Sequence, residues 1–422
     1  MSSSTVLAPY ISSQMQLGDL TLKNRNIMSS LTRSRSFPDA VPNKYNVEYY
    51  TQRAKGGAGL IITEGTLVSQ QGTEWPDAPG IWNEGQVKGW KKVTDSVHKA
   101  GGLIFCQLMH TGRLAHPDME AQKKSGKPVV GPSAIAARGG QFRQLPDEPG
   151  YVVPTPLEDP QAIVQEFRHA ATMAKKAGFD GVEFHSAYGH LPQQFLDSSS
   201  NQRTDEWGGS PENRSKFGIE VVKALIEVWG PGRVGIKVNP CGGLRDVGMS
   251  LPDTLMTYTY YLSRLSALKP AYITLVRYAP FLDHVIPGSA TQTKRGTPHK
   301  VLAFYGPIIK PPAHVLKSHS EQAFRGPAMP NAALNSLNPT PTRLFVNGAL
   351  TPREADELIA KGMIDGVVFG CLWLGNPDLQ KRIEKGMDVD GKGINQVLDF
   401  KTLYGAPGVD PRVGYTDYPT VT

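Results

Sequence analysis

The segment Gly181-Val-Glu-Phe-His185-Ser-Ala-Tyr188-Gly-His190 joins a short apolar run to a group of polar and aromatic residues. The apolar run predicts a buried β-strand, and Pro211–Trp229 further on predicts a helix with proline in its first turn. A strand followed by a helix is one unit of a parallel α/β fold. His185 closes the strand, and Tyr188 and His190 add proton-handling groups to the same small area.

The alternation of strand and helix continues through the chain. Eight apolar runs are predicted as strands: Asn26–Leu31, Leu60–Gly65, Leu103–Leu108, Gly181–His185, Gly235–Asn239, Tyr272–Val276, Arg343–Asn347 and Gly366–Gly370. Helical patterns intervene, for example at Glu84–Ala100 and Asp159–Ala177. Eight such units predict an α/β fold with a single (β/α)8 TIM barrel spanning residues 1–422. A doubly wound sheet is the alternative, but it requires a Gly-x-Gly-x-x-Gly turn after the first strand, and none is there.

Two segments depart from this repeat. Residues 111–156 are rich in Gly, Pro and Arg and are predicted to form a long loop above the third strand. Residues 288–341 are Pro-rich and basic and precede the seventh strand. Because a structureless loop of that length is unusual inside a compact domain, we expect disorder or translated intron sequence there rather than a lid.

Composition excludes several classes of protein. The net charge of +7 is small for 422 residues and has no block of like charges, which argues against nucleic-acid binding. The three cysteines are far apart and lack metal-ligand spacing, so we expect a reducing compartment and no metal site. Neither a signal peptide nor an apolar run of about 18 residues is present, which favours a cytoplasmic protein without a membrane segment.

Polar residues end several of the predicted strands. Thr32, Gln107 and Lys237 each follow an apolar run, and the carboxyl ends of barrel strands form the active site in this architecture. Singly, such residues often satisfy loop backbone groups. Together they favour a site that hydrogen-bonds a planar heteroaromatic ring.

Three longer motifs carry a resemblance. They are His185-Ser-Ala-Tyr-Gly-His-Leu-Pro-Gln-Gln-Phe-Leu, Asn201-Gln-Arg-Thr-Asp-Glu-Trp-Gly-Gly-Ser-Pro-Glu-Asn-Arg214 and Gln107-Leu-Met-His-Thr-Gly-Arg113. From about Leu17 to Pro419, apart from the insertion, the chain resembles the old yellow enzyme family of flavin-dependent ene-reductases. The resemblance implies flavin mononucleotide (FMN) as cofactor and NAD(P)H as reductant. It places Thr32, Gly65 and Gln107 against the flavin, His185 against the substrate, and Met109 and Tyr415 in the substrate pocket.

Several matched positions differ from the family pattern. Tyr188 replaces Asn or His, His190 replaces the proton-donating Tyr, and Lys237 replaces an Arg that faces the flavin. At the phosphate end, Asn347 replaces a glycine ahead of Gly348, and Cys371 replaces the Arg that follows Gly370. Because losing a charge-assisted phosphate contact costs about 1.5–3 kcal/mol, weakened or absent FMN binding is expected.

Three functions remain open at this stage. The first is redox-neutral isomerisation or epimerisation of a bulky carbonyl compound, such as a fungal-type natural-product intermediate. In that reaction His185 and Tyr188 hold the oxygen and His190 moves the proton, assisted by Lys237. The second is NAD(P)H- and FMN-dependent reduction of an activated C=C bond. The third is a non-catalytic barrel that serves as a binding protein. A monomer or homodimer is expected in each case.

Overall fold

The computed structural model describes residues 8–139, 151–283, 294–311, 341–387, 393–396, 401–405 and 408–421. Its main feature is a closed barrel of eight parallel strands. The strands are β3 (Asn26–Met28), β4 (Leu60–Ile62), β6 (Ile104–Met109), β9 (Gly181–Ser186), β10 (Val234–Val238), β11 (Tyr272–Val276), β12 (Arg343–Asn347) and β13 (Gly366–Phe369). Each strand pairs with the next, and β13 pairs with β3 to close the ring. The short strand β5 (Thr66–Leu67) extends the sheet by pairing with β6. The predicted TIM barrel is therefore confirmed.

Helices cover the outside of the barrel. They are α1 (Lys44–Lys55), α2 (Glu84–Lys99), α3 (Glu120–Ser125), α4 (Pro160–Lys176), α5 (Leu191–Leu196), α6 (Pro211–Trp229), α7 (Leu251–Ala267), α8 (Val301–Ile309), α9 (Pro352–Ala360), α10 (Cys371–Gly375) and α11 (Leu379–Glu384). Local sequence explains their starts. Ser210, for example, accepts from the backbone N–H of Asn213 at the start of α6, and Pro211 occupies the first helical position.

A hairpin closes the amino-terminal end of the barrel. Its strands are β1 (Met15–Leu17) and β2 (Leu20–Leu22), and their apolar side chains pack against residues inside the barrel such as Phe105 and Phe345. Gly18 turns the hairpin at a φ of 57°, and a Cβ there would lie 2.2 Å from the carbonyl oxygen of Gly232. Only glycine fits this turn against the barrel.

The inner face of the barrel changes from apolar to polar along β6, β11 and β12. Phe105, Tyr272 and Phe345 form an aromatic layer, in which Tyr272 stacks on Phe345 at 4.7 Å. Two residues further along the same strands come Gln107, Thr274 and Asn347, because side chains on one face of a strand repeat every second residue. The polar layer therefore lies at the carboxyl ends of the strands.

The two segments outside the repeat are partly structured. In residues 111–156, β7 (Val130–Gly131) pairs with β8 (Thr155–Pro156), and α3 lies ahead of them. In residues 288–341, α8 packs on α7 and on the strands at either side, so it is the barrel helix between β11 and β12. Assigning all of this segment to an insertion was wrong, because the helix contains Gly306 and Pro307, which conceal its pattern. The expectations for 288–293 and 312–340 lie outside the described residues.

Candidate active site

A cavity of about 490 Å³ opens at the carboxyl ends of the barrel strands. That volume is within the range of small-molecule sites, about 300–1,000 Å³. Nearly all the predicted site residues line it: Thr32, Gly65, Gln107, Met109, His185, Tyr188, His190, Lys237, Asn347, Gly348, Gly370 and Cys371. Apolar side chains, among them Leu31, Leu244 and Phe281, form much of the remaining wall. The fold thus brings together predicted site residues that lie far apart in the chain, such as Thr32 and Cys371, which are 339 positions apart.

Two side chains cross the mouth of the barrel. Lys237 extends from β10 to the far side, where its Nζ donates to Oγ of Ser29 at 2.9 Å, just after β3. Tyr188, at the end of β9, donates its hydroxyl hydrogen to Oδ1 of Asn347 on β12 at 2.9 Å. The Tyr188 ring lies 5.2 Å from Nζ of Lys237. Tyr188 has a φ of 55°, so a tyrosine is held in the left-handed region by these contacts.

A buried carboxylate lies beneath the cavity. One oxygen of Glu183 accepts from Nε2 of Gln107 at 2.7 Å, and the other accepts from the Tyr272 hydroxyl at 2.9 Å. Oε1 of Gln107 in turn accepts from the hydroxyl of Ser30. Burial raises the pKa of Glu183, whereas Lys237 and these hydrogen bonds lower it. The network fixes the orientation of the Gln107 amide at the cavity floor.

The two histidines form a hydrogen-bonded pair. Nδ1 of His190 lies 3.0 Å from Nε2 of His185. Burial lowers the pKa of both imidazoles well below the usual value, and Lys237 and Arg245 lower that of His185 further. His190 is the N-cap residue of α5, but its side chain makes no capping hydrogen bond. Its imidazole therefore serves the pair rather than the helix.

A neutral pair has a defined pattern of donors and acceptors. The shared hydrogen bond uses one proton, so of the two outer atoms, Nδ1 of His185 and Nε2 of His190, one carries a hydrogen and the other a lone pair. Within the described part of the chain, both outer atoms are buried without a partner. The pair can accept a proton at one outer nitrogen and release one at the other.

Arginines attach the carboxyl-terminal segment to the barrel. Arg35 donates to five backbone carbonyls, four of which belong to residues 402–413, and Arg33 donates to the carbonyls of Leu403 and Gly414. Leu403 and Tyr404 consequently line the cavity. Tyr415 was expected there, but it is buried behind the wall, where it stacks on Tyr49 at 4.2 Å. The placement of Tyr415 in the substrate pocket was wrong, because the arginine contacts turn its ring inward.

The wall at the ends of β12 and β13 is uncharged. Cavity residues 347–351 and 368–372 include no lysine or arginine, and Cys371 is exposed. Gly348 has a φ of 110°, and a Cβ at Gly370 would make only ordinary contacts, with Leu31 at 3.6 Å and Ser29 at 3.9 Å. Both glycines leave backbone accessible at this end of the cavity. The described residues show no cluster of side chains suited to a metal ion.

Some residues of the site were not predicted from the sequence. Ser29, Ser30 and Glu183 take part in its hydrogen bonds, and Trp75, Arg245 and Tyr404 line the cavity. Glu183 lies two positions before His185, so the strand period alone would have placed it on the same face. Trp75 and Tyr404 lie on loops and offered no such signal.

Comparison with known proteins identifies the family. Residues 13–278 match the model of the NADH:flavin oxidoreductase / NADH oxidase family. The flavin oxidoreductase hxnT of Emericella nidulans is 34% identical over 418 residues, covering 96% of both chains. The 12-oxophytodienoate reductase 2 of Arabidopsis thaliana is 34% identical over 424 residues, covering 99% of this chain and 96% of its own. The chain belongs to the old yellow enzyme family.

Solved structures agree with this assignment. Morphinone reductase superposes with a TM-score of 0.77 at 33% identity, covering 99% of this chain and 98% of its own. The old yellow enzyme of Trypanosoma cruzi gives a TM-score of 0.78 at 28% identity, covering 98% and 100%. The protein is therefore an enzyme of the old yellow enzyme family, for which FMN is the cofactor and NAD(P)H the hydride donor. The described helices are each too short or too polar to serve as a membrane-spanning segment.

The cavity fits the ring of such a cofactor better than its phosphate. The hydroxyl of Thr32, the amide of Gln107 and the ammonium of Lys237 line one cavity, where they can hydrogen-bond a planar polar ring. A Cβ at Gly65 would lie 2.6 Å from Sδ of Met109, so glycine keeps the wall open beside Gln107. At the ends of β12 and β13, the described cavity residues offer a phosphate backbone N–H groups but no charged side chain.

Proposed function

We propose that this protein reduces an activated C=C bond of an α,β-unsaturated carbonyl compound at the expense of NAD(P)H, using FMN. The observation that carries the proposal is the convergence of Thr32, Gly65, Gln107 and Lys237 with the His185–His190 pair on one cavity. The family and its relatives favour this reaction over the redox-neutral one, which we placed first from the sequence alone. The small-molecule substrate is a carbonyl compound with an apolar body, because apolar side chains form much of the wall.

Different residues bind the cofactor, stabilise the enolate and transfer the proton. Gln107, oriented by Glu183, and Thr32 hold the polar edge of the flavin ring, and Lys237 offsets negative charge that develops there. When bound and reduced, FMN supplies a hydride to the β-carbon of the substrate. An outer N–H of the His185–His190 pair donates to the carbonyl oxygen and stabilises the enolate. That hydrogen then passes to the α-carbon, while the other outer nitrogen of the pair takes up a proton from water, so that the pair remains neutral.

The test is the visible spectrum of the purified protein together with anaerobic turnover. Stoichiometric flavin that is bleached by NAD(P)H and restored by a cyclic enone supports the proposal. A protein that takes up no flavin from excess FMN, or flavin that NAD(P)H does not reduce, contradicts it. Gln107→Leu is expected to weaken FMN binding at least tenfold, because about 1.5–3 kcal/mol of hydrogen bonding is lost.

A second function is favoured by one observation. The contact between His190 and His185 forms a two-way proton carrier beside the cavity, which suits isomerisation or epimerisation next to a carbonyl without a reductant. In deuterated water without NAD(P)H, this reaction would incorporate deuterium into the substrate, and His190→Phe would abolish that incorporation. If His190→Phe leaves the exchange unchanged, the pair is not the carrier.

We propose a monomer or homodimer, which sedimentation would distinguish.

A further inference from the structure

A second cavity lies beside the catalytic one. Its volume is about 360 Å³, which is within the range of small-molecule sites. Tyr404 lines both cavities, and its ring packs on that of Trp75 with a centroid distance of 4.3 Å. Trp75 faces the catalytic cavity, whereas the next two residues, Pro76 and Asp77, line the second one. The two cavities therefore share an aromatic wall.

Asp77 brings a carboxylate without a partner to the second cavity. Its backbone N–H donates to Oγ of Ser34 at 3.1 Å, and its backbone carbonyl accepts from the N–H of Ser36 at 2.8 Å. No hydrogen bond or ion pair reaches the carboxylate from the described part of the chain. Asp77 is half-buried, and burial raises its pKa with no neighbouring cation to lower it. A carboxylate that is partly removed from water in this way gains from a cationic ligand.

The other charged groups around this cavity are already engaged. Arg35 lines it, but its guanidinium donates to five backbone carbonyls. Asp410 also lines it, but its carboxylate pairs with Arg412 at 2.5 Å. Among the described residues of the wall, Asp77 is therefore the charged group that remains available to a ligand.

The rest of the wall suits an organic cation. Phe37 and Tyr404 supply aromatic rings, and Pro76 and Val413 supply apolar surface. Aromatic faces attract ammonium groups, and a carboxylate accepts charge-assisted hydrogen bonds from them. A metal ion is less suited to this site, because the described residues show no cluster of metal-binding side chains.

We propose that the second cavity binds a small organic ammonium ion, namely a protonated primary or secondary amine with an apolar body. Its N–H groups donate to the carboxylate of Asp77, and its body lies against the rings of Phe37 and Tyr404. Binding leaves the amine chemically unchanged. The site goes beyond the reduction proposed above, because FMN and the enone bind in the catalytic cavity on the other side of the Trp75–Tyr404 wall.

The experiment is isothermal titration calorimetry on the full chain at pH 7.5, without FMN or NAD(P)H. The ligand is 2-phenylethylammonium, and the comparison ligand is 2-phenylethanol, which has a similar shape and no charge. We expect the amine to bind at one site per chain. The alcohol should bind about tenfold more weakly or worse, because it lacks the charge-assisted contact with Asp77.

Three variants locate the site. Asp77→Asn keeps the size of the side chain and removes its charge, so the amine should bind about tenfold more weakly. Asp410→Asn is the matched control, because it removes a carboxylate of the same cavity that is already paired with Arg412. Phe281→Ala alters the apolar wall of the catalytic cavity. Both controls should leave the affinity for the amine unchanged, and circular dichroism establishes that each variant is folded.

Several results would overturn the proposal. They are equal affinities for the amine and the alcohol, an unchanged affinity in Asp77→Asn, an equal loss in Asp410→Asn, and a loss in Phe281→Ala that places the amine in the catalytic cavity. The titrations use no flavin, reductant or enone. Their failure would therefore leave the proposed reduction standing, and a protein that binds no FMN could still bind the amine.

Discussion

Nδ1 of His190 and Nε2 of His185 lie 3.0 Å apart, and burial keeps both rings neutral. The contact joins the end of β9 to the first residue of α5, so it depends on the five-residue spacing between the two histidines. It also makes stability sensitive to acid. In the unfolded chain each histidine titrates near 6.5, well above its value in the folded protein.

The first prediction concerns that acid sensitivity. Below pH 6.5 the unfolded chain binds protons that the folded chain does not. The contribution of the neutral histidines to the free energy of unfolding is therefore complete above pH 6.5 and decreases as the pH is lowered further. Each of the two histidines contributes a slope of up to about 1.4 kcal/mol per pH unit. Urea titrations between pH 7.5 and 5 should therefore show a flatter pH dependence in His190→Gln. His110, with a pKa lowered to about 4 by burial, contributes equally to both proteins. If the free energy of unfolding of His190→Gln depends on pH as steeply as that of the wild-type protein, the buried His185–His190 pair does not cause the acid sensitivity.

The second prediction concerns the hydrogen bond from Tyr272 to the buried carboxylate of Glu183. Tyr272→Phe leaves one carboxylate oxygen without its donor, so we expect the free energy of unfolding to fall by about 1.5–3 kcal/mol. The matched control is Tyr305→Phe, since the hydroxyl of Tyr305 is buried without a partner in the described part of the chain. Tyr305→Phe should lower the free energy of unfolding much less. Equal losses in the two variants would show that the contact with Glu183 contributes little.

A third prediction follows from the five carbonyls that accept from Arg35. Lysine cannot reproduce a planar fork, so Arg35→Lys should loosen the segment that carries Leu403 and Tyr404. We expect a KM at least threefold higher and faster hydrogen exchange in residues 401–405 and 408–415. Arg412→Lys is the control, because Arg412 is exposed and forms its ion pair with the nearby Asp410. If exchange rises equally in both variants, the contacts of Arg35 do not hold the segment.

The fourth prediction tests the uncharged end of the cavity. Cys371→Arg introduces a cation at the start of α10, beside the backbone of Gly370. We expect FMN to bind about tenfold more tightly, since one charge-assisted phosphate contact contributes about 1.5–3 kcal/mol. The affinity for riboflavin, which has no phosphate, should not change, and Cys371→Met should alter neither. Quenching of flavin fluorescence measures the affinities of the wild-type protein and of both variants for the two flavins. A parallel gain for riboflavin would mean that the arginine acts on the ring rather than on the phosphate.

The sequence by itself determined the barrel and most of its site. Eight apolar runs separated by helices allow few arrangements, and the strand ends must meet at one mouth because parallel strands share a direction. Gln107, His185 and Lys237 could thus be grouped before any coordinates were known. The sequence pattern did not reveal α8, since Gly306 and Pro307 weaken its helical signal.

Only the tertiary structure decided how these side chains are used. Side-chain direction depends on contacts between distant segments: Arg33 and Arg35 turn Tyr415 away from the cavity, and Asn347 draws the Tyr188 hydroxyl across its mouth. Burial is likewise a property of the folded chain. It lowers the pKa values of His185, His190 and Lys237, because desolvation penalises charge wherever the fold excludes water.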